Sequence, residues 1–99
     1  MVDGERHGVT VRLPAVLAEA AGGSRLLTVE PAPGDVAGLL DVLAGSHPAL
    51  ERRIRDESGQ LRRFVNVYVG DDDVRGSGGQ ATALSPGDEV WVLPSVAGG

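Results

Sequence analysis

Apolar and polar residues alternate at Val9, Thr10, Val11, Arg12 and Leu13, the period-2 pattern of a half-buried strand, and Pro14 then withdraws a backbone donor and ends it. Gly22-Gly23 supplies a turn. Leu26 to Val29 is a short apolar and β-branched run bounded by Pro31 and Pro33, a second strand expected to pair antiparallel with the first across a long connection. After Pro33-Gly34 the period changes. Asp35 is placed to cap a helix whose apolar residues Val36, Leu39, Leu40 and Leu43 share one face, with Gly45 positioned to stop it. Pro48 suits the first position of a second, short helix, where Leu50 and Ile54 form a single apolar stripe and Ser58-Gly59 closes the segment.

Alternation returns from Phe64 to Val69, with Val65, Val67 and Val69 on one face and Phe64, Asn66 and Tyr68 on the other. Gly70 to Asp73 reads as a turn, Val74 as the start of a brief strand, and Gly76 to Gly79 as a loop ahead of the Ser85-Pro86-Gly87-Asp88 turn. The last strand runs from Val90 to Leu93. Val90 and Val92 take one face, Trp91 and Leu93 the other, and Pro94 is expected to end the pairing. This order of elements predicts an α+β chain with the β-grasp (ubiquitin-like) fold: a mixed sheet of four to five strands wrapped around one main helix plus a short helix. The expected organisation is a flexible polar leader over residues 1–8, a folded domain over 9–94 and a flexible tail over 95–99 ending in Gly98-Gly99.

Composition narrows the chemistry. With 41% hydrophobic residues but a single Phe, Tyr and Trp in 99 residues, the core must be aliphatic. A net charge of -5 opposes attraction to phosphate backbones and argues against a nucleic-acid partner. The nine basic residues are all arginine, which removes Schiff-base chemistry and any side-chain amine able to accept an isopeptide bond. Cysteine is absent, and with it disulfides and thiol nucleophiles. No signal-peptide pattern and no long apolar run is present, so the cytoplasm is the expected location and no membrane contact is expected. Asp71-Asp72-Asp73 lacks the spacing of a calcium loop, Gly76-Ser77-Gly78-Gly79 is not followed by the Lys-Ser/Thr of a phosphate loop, and His7 and His47 stand apart from each other. No metal site or bound cofactor is predicted.

From Arg63 onward the residues carry a more specific signal: Arg63-Phe64-Val65-Asn66-Val67-Tyr68-Val69, Asp71-Asp72-Asp73-Val74-Arg75, Gly78-Gly79, Thr82, Gly87-Asp88 and Leu93-Pro94-Ser95-Val96-Ala97-Gly98-Gly99. In these the chain resembles the ThiS/MoaD family of ubiquitin-like sulfur carriers, and within it the CysO-type carriers of actinobacteria. Two positions depart from the CysO-like pattern, Ser95 where Ala is commoner and Gly70 where Asn is common, and neither touches the diglycine.

The resemblance implies a carrier rather than an enzyme. Gly99 would be adenylated by a ubiquitin-activating-like partner using ATP and Mg, then thiocarboxylated, and would donate its sulfur to a biosynthetic enzyme making cysteine, molybdopterin, thiamin or a sulfur-containing secondary metabolite. Val96, Ala97 and Gly98 would thread into partner active sites, where the missing Cβ atoms of two glycines permit close approach. Phe64, Tyr68, Trp91 and Leu93 are the candidate partner interface, with ordinary core packing as the alternative. Arg62, Arg63 and Arg75 are candidates for its polar rim, with plain solvated surface as the simpler reading. The free chain is expected to be a monomer. Two other roles fit the same residues: a protein modifier conjugated through Gly99, and a β-grasp binding module whose tail is incidental.

Overall fold

The inward-facing valines of the alternating segments meet the leucines of the main helix, and the architecture follows from that contact. A computed structural model describes residues 7–94. Strands β1 (Val9–Arg12), β2 (Leu26–Val29), β3 (Val65–Val69), β4 (Asp72–Asp73) and β5 (Glu89–Pro94) form one sheet in the order β2-β1-β5-β3-β4. β1 runs antiparallel to β2 and parallel to β5, while β3 runs antiparallel to both β5 and β4. This is the mixed sheet of a β-grasp fold, and it has five strands.

Helix α2 (Val36–Ser46) lies across the inner face and buries Val36, Leu39, Leu40 and Leu43. They pack with Val9 and Val11 of β1, Val65 and Val67 of β3, and Val90 and Val92 of β5. Helix α3 (Pro48–Ile54) adds Leu50 and Ile54 to the same cluster. Burying a side chain of this size stabilises by about 1.5–3 kcal/mol, so these dozen aliphatics carry the fold without an aromatic among them. Asp35 caps α2 as expected, its Oδ1 accepting from the Gly38 N–H at 2.8 Å.

Five details differ from the expectation. The connection between β1 and β2 is not a plain loop. Helix α1 (Ala15–Ala18) and a 3₁₀ turn (Glu19–Ala21) occupy it, because Leu17, Ala18 and Ala21 bury a small apolar face and Pro14 provides a helix entrance as well as a strand exit. Gly45 does not stop α2, which continues to Ser46, with the His47 N–H closing it on the Leu43 carbonyl. The brief strand is Asp72–Asp73, and the buried Val74 instead opens a 3₁₀ turn (Val74–Gly76). Phe64 lies just outside β3, which begins at Val65.

Pro94 belongs to β5 and stands opposite Val65. The Gly70 N–H donates to the Glu89 carbonyl and the Thr10 N–H to that of Asp88, so alternate residues of β5 face β3 and β1. By that alternation the position of Pro94 faces the β1 side, where pairing has already ended at Arg12 opposite Trp91, and the missing donor costs no ladder bond.

Gly8, just ahead of β1, is buried, and a Cβ there would overlap the Val29 carbonyl oxygen. Its own carbonyl accepts from Gly87, and that of His7 accepts from Ala32.

Candidate functional site

Alternation along β3 and β5 turns one set of side chains away from the core, and the antiparallel register sets them side by side. Trp91 stands opposite Tyr68, and Leu93 opposite Asn66. Trp91 is 37% exposed; Tyr68 and Leu93 are half-buried. With Gly70 and Asp71 these three line a shallow concavity of about 420 Å³ on the outer face of the sheet. Three of the four predicted interface residues are thus brought together. Phe64, 52% exposed, lines a different depression with Asp56, Arg62, Arg63 and Val65.

The register extends this outer row across all five strands as Leu26, Arg12, Trp91, Tyr68 and Asp73. Arg12 is the neighbour the sequence reading missed. Its guanidinium lies 5.5 Å from the centre of the Trp91 ring, and its Nε donates to Glu89 Oε2 at 2.6 Å. Trp91 Nε1 in turn donates to Glu89 Oε1 at 3.2 Å. The indole is therefore held at one face and at its N–H, which fixes an exposed aromatic in one orientation, with about 0.5–1 kcal/mol from the cation–π contact. Alternation alone places Arg12 and Glu89 outward, but only the parallel pairing of β1 with β5 makes them neighbours.

Arg75 is exposed yet engaged with its own fold. Its Nη1 donates to Asn66 Oδ1 and its Nη2 to the Arg62 carbonyl, each at 2.9 Å, tying the turn after β4 to the entrance of β3. Arg55, with little exposed side chain, joins α2, α3 and the 3₁₀ turn Gly79–Ala81 through Asp41, Glu51 and Gln80. Burial pulls the Arg55 pKa down, but the hydrogen bonds and charges of Glu51 and Asp41 outweigh it and leave the guanidinium above its ordinary value. Arg55 is therefore a structural cation.

His47 sits at the entrance of α3 and makes no side-chain cap there; its carbonyl accepts from Glu51. Among the described residues no group of three or more His, Cys, Asp or Glu side chains converges on a point that could hold a metal ion. No helix among them is long and apolar enough to cross a membrane.

The predicted chemistry follows β5 in sequence. β5 carries Trp91 and Leu93 outward and reaches Pro94, the last described residue. Val96, Ala97, Gly98 and Gly99, the predicted threading and sulfur-bearing residues, lie outside the described residues, as does the leader up to residue 6.

Comparison with known proteins bears on this arrangement directly. The ThiS family matches residues 11–99. The sulfur carrier protein CysO of Mycobacterium tuberculosis is 45% identical over 94 residues, covering 92% of this chain and 98% of its own. The small archaeal modifier protein 1 of Haloferax volcanii is 38% identical over 88 residues, covering 89% of this chain and 97% of its own. Among solved structures, the Amycolatopsis orientalis BexX/CysO complex matches with a TM-score of 0.81 at 37% identity, over 92% of this chain and 99% of the other. With a family match through nearly all of its length and a sulfur carrier sharing almost half of its residues, this chain belongs to the ThiS family and is a homologue of the sulfur carrier proteins.

Proposed function

We propose that this chain carries sulfur on the carboxyl group of Gly99 and delivers it to a biosynthetic enzyme. Sulfur carrier proteins are small protein carriers rather than enzymes, so the catalytic groups belong to partners. The reading rests on one observation above others: the family match runs to Gly99, five residues past the central strand β5, which carries Trp91 and Leu93 outward. Five residues span at most about 16 Å when extended, enough to reach into a pocket while the sheet face docks at its mouth.

The chemistry required of the partners follows from the carboxylate. Its delocalised charge makes it a poor electrophile, so one oxygen must first attack the α-phosphorus of ATP, releasing pyrophosphate and leaving an acyl-adenylate. Sulfide then adds to the acyl carbon and AMP departs, leaving a thiocarboxylate. ATP and Mg serve the adenylating partner and are not held by this chain. The structure of a BexX/CysO complex supports the expectation that such a carrier docks with a second protein.

The 38% identity to a protein named a modifier favours one second reading, conjugation of Gly99 to target amines. Intact mass distinguishes them. With an adenylating enzyme, ATP and sulfide, the carrier reading predicts a gain of about 16 Da from exchange of oxygen for sulfur. A ladder of conjugates on other proteins would favour the modifier, and no change of mass with any adenylating enzyme would end both readings.

A further inference from the structure

The strand pair that leads to the tail is electrically polarised. At one end of β3 and β5 stand Asp71, Asp72 and Asp88, with Glu89 paired to Arg12; Val69 pairs there with Val90. At the other end Val65 pairs with Pro94, and the chain just before Val65 is Arg62-Arg63-Phe64. The two ends are roughly 13 Å apart at about 3.3 Å per residue. Arg62 Nε donates to the Arg52 carbonyl at 2.8 Å, which holds the last turn of α3, with Arg52 and Arg53, against this second end. All four arginines are exposed.

Their setting makes the patch unusual. The chain has a net charge of -5, yet residues 52–64 hold five arginines against Asp56 and Glu57. Asp56 is engaged by Ser58 and Gln60 within its own turn. Arg55 is occupied by Glu51 and Asp41, while Arg63 lies over the exposed Phe64 ring at 5.8 Å. Arg52 and Arg53 favour the C-terminal end of α3, which accounts for their being basic there. That account does not extend to Arg62 and Arg63, which lie outside the helix.

We propose that the basic end formed by Arg52, Arg53, Arg62 and Arg63 docks against an acidic rim around the pocket of the adenylating partner, so that the carrier arrives with the Pro94 end of β5 foremost. This rests on the carrier reading. A dipolar molecule approaching a negative rim is turned by the field before contact, which raises productive encounters and makes them sensitive to salt. The outer face around Trp91 supplies apolar contact but no direction; the charge supplies the direction.

The test measures kcat/KM for adenylation of the chain by an ATP-dependent enzyme that activates the wild type, between low and high NaCl. Arg53→Glu and Arg63→Glu are the variants, since neither guanidinium makes a hydrogen bond among the described residues, and matching unfolding midpoints verify that both remain folded. Reversal is expected to lower kcat/KM at least about fivefold through KM and to flatten its salt dependence, while Asp72→Asn at the far end changes it less than about twofold. Wild-type rates indifferent to both reversals, or a loss confined to kcat, would overturn the inference and leave the carrier reading standing. Salt-sensitive self-association abolished by Arg63→Glu, with unchanged adenylation, would assign the patch to the acidic end of a second copy and overturn it as well. A wild type that no adenylating enzyme accepts would remove the carrier reading and this inference together.

Discussion

Asp56 organises its turn alone: one carboxylate oxygen accepts from the Ser58 N–H at 2.9 Å, the Ser58 hydroxyl at 2.7 Å and the Gln60 N–H at 3.1 Å. The Ser58 hydroxyl first, then the Gln60 amide, hold the carboxyl below its ordinary 3.8. Because the folded value lies below the unfolded one, what Asp56 adds to stability is complete above the ordinary carboxylate range and is lost as pH falls through the folded value. Ser58→Ala is expected to move the Asp56 titration upward in carbon-detected NMR; an unmoved midpoint would contradict the assignment. Gly8 makes a second residue-scale prediction. A methyl group there meets the Val29 carbonyl, so Gly8→Ala should lower stability by about 1–3 kcal/mol in urea unfolding. Sequence alone marked Trp91, Tyr68 and Leu93 as outward by alternation. It did not mark Gly8, because a buried glycine and a flexible one read alike until the neighbouring strand is in place.

At the scale of elements, local signals carried far and stopped where pairing begins. Asp35 ahead of the Val36, Leu39, Leu40, Leu43 stripe announced α2 and its start correctly, and Asp35→Ala should cost about 1 kcal/mol in chemical denaturation, with Asn restoring most of it. Pro14 was legible as the end of a strand but not as the entrance of α1, since proline serves both purposes. Gly45 misled because a helix held by buried leucines on one side tolerates a glycine on the other, where it faces solvent. Val74 was read as strand because β-branched residues favour it, but its burial at a 3₁₀ turn overrode propensity. The neighbours of Trp91 were out of reach for another reason: Arg12 and Glu89 are 77 positions apart, and no local pattern reports a parallel pairing over that distance.

For the molecule as a whole, the core closes between Val9 and Val92, and recognition is left to the outer face and the ends of the strands. Trp91→Ala should therefore raise KM for activation by about tenfold with a small change in unfolding midpoint, as expected of an exposed aromatic anchor at an interface. Unaltered KM would move the docking face elsewhere. The central claim concerns one atom of the Gly99 carboxyl group, and arginine-specific cleavage isolates it. Arg75 is the last arginine and lysine is absent, so digestion with trypsin releases residues 76–99 as one peptide. After reaction with adenylating enzyme, ATP and sulfide, tandem mass spectrometry of that peptide is expected to place the gain of about 16 Da on Gly99, and a chain lacking Gly99 should unfold as the wild type does yet gain nothing. A gain located elsewhere in the chain, or one that persists when Gly99 is deleted, would contradict the account.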